Sequence, residues 1–337
     1  MAITANDSPD LLEQHSRRDA RHERLFRWLL KGCALLVLAS LLGAAGATLW
    51  GGREAFGTFG WHFLISSEWD PGNDVYGALV PVYGTLATSF IALLIAVPIS
   101  FGIALYLSEV APAWLRTPVA AAIELLAGIP SIIYGMWGLF VFAPFFAEHI
   151  KPWLTSNLGN QPEDGKLSWV AEHVPFVGKL FASDYPFGAS ILVAGIVLAI
   201  MVIPFVSSVM REVFQTVPTR LKESAYALGS STWEVAWGIV LPYTRSAVIG
   251  GIFLGLGRAL GETMAVTFVL GNAYNITSSL LMPGTSISSS IANEFNEAVG
   301  THRSALIALG FLLFVVTFVV LLISRLMLRR LARREGA

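Results

Sequence analysis

Apolar residues in this chain come in long, almost unbroken runs, with the polar residues gathered between them. Six runs reach the roughly 20 residues that a helix needs to cross a bilayer: Phe26–Trp50, Ala78–Leu107, Pro118–Phe146, Phe187–Met210, Tyr243–Gly271 and Ala305–Leu328. Backbone in hydrocarbon must satisfy its own hydrogen bonds, so the runs predict α-helices. They are too long and too uniform for barrel strands. Pro98, Pro130 and Pro204 lie inside three of them and predict kinks. Residues 1–25 read as a loosely ordered charged tail. Residues 26–77 hold the first helix and a loop, 78–328 the main membrane domain, and 329–337 a second tail. The loop at 147–186, with Pro152, Pro162, Pro175 and Pro186, lies on the same side as the 51–77 loop.

Composition supports the membrane reading. Hydrophobic residues make up 55% of the chain and charged ones 13%, against about 25% charged in a soluble domain; the mean hydropathy is +0.65. A net charge of −1 predicts no nucleic-acid partner. Cys33 is the single cysteine, which excludes an internal disulfide, and no His/Cys cluster has metal-ligand spacing, so no metal site is expected. With the N-terminus inside, 16 of the 22 Lys and Arg residues fall on the inner side, five fall outside, and Arg258 is left over. That bias predicts cytoplasmic termini. The first run has two readings. Its basic leader and the "AGA" at Ala45–Ala47 fit a cleavable signal, while the length of that leader and the run on to Trp50 fit a retained anchor.

One inner loop, 217–242, is patterned: "VPTRLKESAYALGSSTWEVAWGIVLP". Pro218 suits a first helical position, Gly229 a left-handed stop, and Ser231 with Glu234 a capping box. Pro242 then predicts a second stop. The pattern predicts two short helices at the inner face, one with Leu221, Ala225 and Leu228 on a side, the other with Trp233, Ala236, Trp237 and Val240. An ordinary interfacial amphipathic loop would read the same way.

The spacing Glu223-Ser224-Ala225, three residues, Gly229, nine residues, Ile239, one residue, Leu241-Pro242 resembles the EAA loop of ABC importer permeases, departing from it only at Ser224. The strings "GLGRALGETMAVTFVLGN" (255–272), "ELLAGIPSIIYG" (124–135), "GTLATSFIALLIAVPISFGIALYLSE" (84–109) and "SIANEFNEA" (290–298) are similar to the PstC family, the permease subunits of phosphate-specific ABC importers. The resemblance covers about 69–334. It implies an all-α integral membrane protein of the type I ABC importer permease fold, with six transmembrane helices: core helices 2–6 plus a peripheral helix 1. It also implies partners: a PstA-like second permease subunit, a PstB-like ATPase dimer and a PstS-like periplasmic phosphate-binding protein, all at the bacterial inner membrane. The 217–242 loop would dock on the ATPase, with Glu223 orienting it or remaining a solvated charge, and Ala225 allowing close approach. The chain has no GxxxxGK[ST] loop, so it is not expected to be an enzyme, and ATP and Mg would be bound by the partner ATPase.

Arg258 and Glu262 stand out inside the fifth run. On a continuous helix from Tyr243, Arg258 lies some 22 Å in, near the midplane, where an Arg costs about 2.5–3.5 kcal/mol. Glu262 at i+4 shares its face. One reading is a neutralising pair that lets the helix insert. The other is an anion station: a guanidinium fork matches phosphate oxygens, Glu262 holds the fork when no anion is bound, and Thr263 and Thr267 add hydroxyl donors. Gly251/Gly255 and Gly257/Gly261 predict close helix approach. Glu124, a second intramembrane acid, is held as a further pathway candidate or as the partner of an Arg in the bundle. A proton-coupled secondary transporter using Arg258 and Glu262 is the alternative from another class; it would show inverted repeats with interrupted helices, and none is evident. The polar stretch 286–300 predicts a short external helix that contacts the binding protein or caps the outer end.

Overall fold

The computed structural model describes the backbone of residues 9–159 and 174–335; residues 160–173, within the loop predicted at 147–186, lie outside the described residues. Six helices are long and apolar enough to span: Leu25–Gly51, Leu79–Val110, Ser131–Leu158, Ile191–Gln215, Thr232–Leu260 and Gly300–Leu328, here called spans one to six. The chain divides into two compact units, 1–51 and 52–337. The first is a single helix, Pro9–Gly51. Residues 9–25 are therefore helical where a loosely ordered tail was expected. Strong helix formers in that stretch and the i,i+4 pair Glu23–Arg27 at 2.5 Å account for it. Helix also runs through 329–335, as part of Gly300–Glu335, for the same compositional reason.

In the second unit, span four is the centre. Val193, Val197, Leu198, Val202, Val206 and Met210 are fully or almost fully buried on a stripe with helical spacing. Span two lies along it, with Gly195 so close to Ile91 that an added Cβ would sit 2.5 Å from it, and the Ser100 hydroxyl donates to the Ile203 carbonyl at 3.2 Å. Span five packs on the same helix: a Cβ on Gly255 would come within 2.5 Å of Val206. Gly251 and Gly255 thus serve packing within this chain. Gly257 and Gly261 have no atom of this chain nearer than 3.5 Å to an added Cβ, so their smallness is not needed for it.

Four helical turns are widened to π geometry: Tyr106–Val110, Gly138–Phe142, Phe146–Ile150 and Ala236–Val240. Each ends two residues before a proline, Pro112, Pro144, Pro152 or Pro242. The residue just before each proline donates to the carbonyl five back: Ala111 to Tyr106, Ala143 to Gly138, Lys151 to Phe146, Leu241 to Ala236. At Pro144, Pro152 and Pro242 the helix continues, and the widening relieves the clash between the proline ring and the carbonyl four residues back; at Pro112 the helix ends instead, with Ala111 extended at ψ 138°. Pro242 therefore does not stop the second helix of the 217–242 stretch. That helix runs on through the wide turn and becomes span five.

Two predicted helices are interrupted instead. The third run breaks at 128–130 into Ala113–Ala127 and the helix beginning at Ser131. Pro130 disfavours helical geometry at Ile129, and Gly128 and Ile129 close the first half with bonds to Leu125 and Leu126. The fifth run breaks at 261–263, between Leu260 and Met264–Val269.

Candidate functional site

The two interruptions lie side by side. A Cβ on Gly135, one turn past the first break, would meet Met264, Ala265 and Phe268, just past the second, at 2.9–3.1 Å. Across the first break the Tyr134 hydroxyl donates to the Leu126 carbonyl at 3.0 Å. At the second, Arg258 occupies the last turn of span five, where the negative end of the helix dipole favours a cation. Its guanidinium lies over the Phe205 ring, 5.5 Å from the centroid. Glu262 Oε1 accepts the Ala265 amide at 3.3 Å, satisfying one of the unbonded donors that open the next helix. Thr263 is half-buried beside it, and the Thr267 hydroxyl donates to the Thr263 carbonyl at 2.7 Å.

The pair is thus not an i,i+4 pair on a continuous helix. Gly261 ends one helix and Glu262 caps another, so their side chains separate, and among the described residues they form no ion pair. Glu262 does not hold the guanidinium. Arg258 is exposed in this chain, and so are Leu125, Ile133 and Met264 near the same breaks.

The stretch 217–242 folds largely as its pattern predicts. Thr219–Ala227 is a helix starting just after Pro218, Gly229 has φ +88°, and Ser231 and Glu234 form the reciprocal capping box. Ala225 is buried, while Leu228 is 88% exposed and Leu221 and Trp233 are also exposed, so the two predicted apolar sides are not buried as units. Glu223 is exposed and Ser224 donates to the Arg220 carbonyl at 2.8 Å. Ile239 packs against the main core, and Leu241 and Pro242 begin the regular part of span five.

Charged contacts with no pattern in the sequence tie these parts together. Lys222 of the helix Thr219–Ala227 pairs with Glu109 at the end of span two, N to O 2.5 Å, with side chains 15% and 5% exposed. Glu124 pairs with Arg211 of span four at 2.8 Å, so the Arg-partner reading of Glu124 holds. At the far end, Glu294 closes the helix Ile287–Glu294 and accepts from Trp69 Nε1 at 2.9 Å and the Tyr274 hydroxyl at 2.5 Å, with His302 Nε2 at 2.9 Å. Trp69 stacks on Tyr274 and Tyr76 on His302. Burial, followed by Asp74, pushes the Tyr76 hydroxyl up to about 12; burial, followed by the Glu294 hydrogen bond, pushes Tyr274 up as well. The Lys222–Glu109, Glu124–Arg211 and Trp69–Glu294 pairs join residues 113, 87 and 225 positions apart, with no local spacing to announce them.

Residues 96–333 match the family described as "Binding-protein-dependent transport system inner membrane component". The phosphate transport system permease protein PstC of Xylella fastidiosa is 60% identical over 95% of this chain and 94% of its own, and that of Pasteurella multocida 55% over 93% and 94%. This chain belongs to the binding-protein-dependent transport permease family. Its fold is the type I ABC importer permease fold. A permease in the crystal structure of a bacterial alginate ABC transporter, with its alginate pentasaccharide-bound periplasmic protein, superposes with a TM-score of 0.58 at 18% identity, over 93% of this chain and 97% of that one. A chain of the inward-facing MetNI methionine ABC transporter gives 0.51 at 14%, over 75% and 95%. The permease is a multi-pass membrane protein, a transport subunit rather than an enzyme, and works in a complex with an ATPase and a binding protein.

Proposed function

We propose that this permease carries inorganic phosphate inward across the bacterial inner membrane, with both termini and the 217–242 loop in the cytoplasm. The observation that carries the reading is Arg258 at a break in span five, in a chain 60% identical to a PstC permease. A guanidinium at a helix end keeps its charge at any physiological pH and offers a planar fork of N–H donors to a phosphate. The broken backbone beside it is tolerated at membrane depth only where it is covered by protein or lines a wet passage. Glu262 and Thr263 complete the station. Glu262 fixes the second half-helix and sets a negative charge near the anion, so that binding stays weak enough for release.

The partners are a PstA-like permease, two PstB-like ATPase subunits that bind ATP and Mg, and a PstS-like periplasmic protein that delivers phosphate. Glu223, Ser224 and Gly229 form the face that meets the ATPase, with the small Ala225 buried behind it; Ile239, Leu241 and Pro242 pass its movement into span five.

Uptake of radiolabelled phosphate into vesicles holding the reconstituted complex tests this directly. Phosphate should accumulate only with ATP and loaded binding protein, and excess sulfate should not compete. Arg258→Ala should abolish uptake while the complex still assembles. Normal uptake per assembled complex in that variant would refute the assignment.

A further inference from the structure

At the end of the molecule that carries the 217–242 stretch, away from the break at 261–263, the helix Ala113–Ala127 and the ends of spans two and four line an open cavity of about 410 Å³, with Arg116, Thr117 and Gln215 exposed at its rim, within the size range of small-molecule sites. Its polar lining is Arg116, Arg211, Glu124, Ser108, Thr117 and Gln215. Two guanidiniums face one carboxylate, so the cavity carries surplus positive charge. Each guanidinium is also anchored with most of its donors unspent. Arg116 Nε donates to the Ala111 carbonyl at 2.7 Å, and one terminal nitrogen of Arg211 donates to Glu124 at 2.8 Å. Among the described residues no other acceptor engages either side chain, although the Arg211 side chain is only 18% exposed.

We propose that this cavity is a second anion site, taking a phosphate group. Arg116 and Arg211 would grip its oxygens bidentately, with the Thr117 and Gln215 side chains as neutral donors; the Ser108 hydroxyl already donates to the Leu105 carbonyl at 3.3 Å. The Glu124 side chain is 56% exposed. It can swing toward solvent as the anion arrives and take Arg211 back when the anion leaves. Free phosphate on the cytoplasmic side and the headgroup of an anionic phospholipid present the same chemistry, and basic pockets at the cytoplasmic face suit both. The site stands independently of Arg258.

Local labelling separates the outcomes. Ala121→Cys, on the cavity wall and outside the set of donors, is introduced with Cys33→Ser, and the chain is assembled with its partner permease and ATPase, without nucleotide or binding protein. Reaction with an uncharged maleimide is followed on this chain alone. If the ligand is free phosphate, inorganic phosphate at about nine times its Kd slows labelling about tenfold in phosphatidylcholine vesicles, by one-site mass action. Chloride at equal ionic strength does not, and Arg116→Gln removes the protection. If the ligand is a headgroup, labelling is slow only in vesicles containing phosphatidylglycerol, and Arg116→Gln again restores it. Arg116→Lys, which keeps the charge without the fork, should weaken protection in either case and shows that loss in Arg116→Gln is not misfolding. Equal labelling rates under all conditions, or protection that survives both Arg116→Gln and Arg211→Gln, would overturn the proposal.

Discussion

Arg258 lies two residues before its helix ends, and that position changes what the side chain can do. Inside a continuous apolar helix it would need a counter-ion; at a helix end it offsets the partial charge of unbonded carbonyls, an effect of about 0.3–1 kcal/mol, and leaves its fork available. Arg258→Lys keeps the charge and loses the planar fork, so phosphate uptake should fall sharply while assembly, measured by co-purification of the partner subunits, is unchanged. Tyr76 gives a residue-scale prediction at the other end. Its hydroxyl is pushed up to about 12, above the ordinary tyrosine value near 10. The protonated form is therefore favoured by the fold. That contribution is complete below pH 10 and is lost as pH rises through 12. The difference in tyrosinate absorbance between wild type and Tyr76→Phe should show a midpoint near 12; a midpoint at 10 would mean the hydroxyl is not buried beside Asp74. The charges themselves were visible in the sequence because Arg and Glu are rare inside apolar runs. Their relation was not, since it depends on whether Gly261 continues or ends a helix.

At the scale of elements, capping chemistry was legible and continuity was not. Gly229 and the Ser231/Glu234 box act through neighbours three or four residues away, so spacing alone revealed them. Prolines were ambiguous for a physical reason. Pro130 and Pro112 each follow a residue at which the helix has stopped, whereas Pro144, Pro152 and Pro242 each follow a turn that widens to admit the ring. Whether a helix breaks or widens is decided by packing on both sides of the proline, which no local pattern records. The Lys222–Glu109 pair, which secures the coupling helix to span two, also lay beyond the sequence, since its partners are 113 positions apart. Lys222→Ala would leave the nearly buried Glu109 carboxylate unpaired, at a cost of about 3–5 kcal/mol, whereas replacing both residues by Met should be close to neutral. Thermal unfolding of the purified complex should show a large drop for the single variant and little for the double one; additive losses would mean the two charges act separately.

For the whole molecule, many large apolar side chains among the described residues are exposed, Phe90, Leu94, Phe140 and Phe318 among them, as lipid and partner subunits require. The side chains of the coupling stretch are a separate case: Leu228 and Trp233 are exposed beside charged Glu223 at one end of the protein, a face suited to a protein partner rather than to lipid. Gly229 sets its shape, because φ +88° is costly for a residue with a branched side chain. Gly229→Val should let the complex hydrolyse ATP without a matching gain in phosphate uptake; an unchanged ratio of phosphate moved to ATP consumed would remove the loop from the transmission path. The number of spans was readable from run length alone, because lipid imposes a single length scale on every crossing segment; the type I arrangement was legible only through the family resemblance.

Placing two helix interruptions next to each other has a consequence for the solvent. Each leaves amides and carbonyls without helical partners, and hydrocarbon offers them nothing. Water is the ready substitute, so the paired notches should hydrate the interior of the protein where an intact bundle would stay dry. That moisture raises the local dielectric and shrinks the cost of holding a guanidinium, or a passing dianion, beside the breaks.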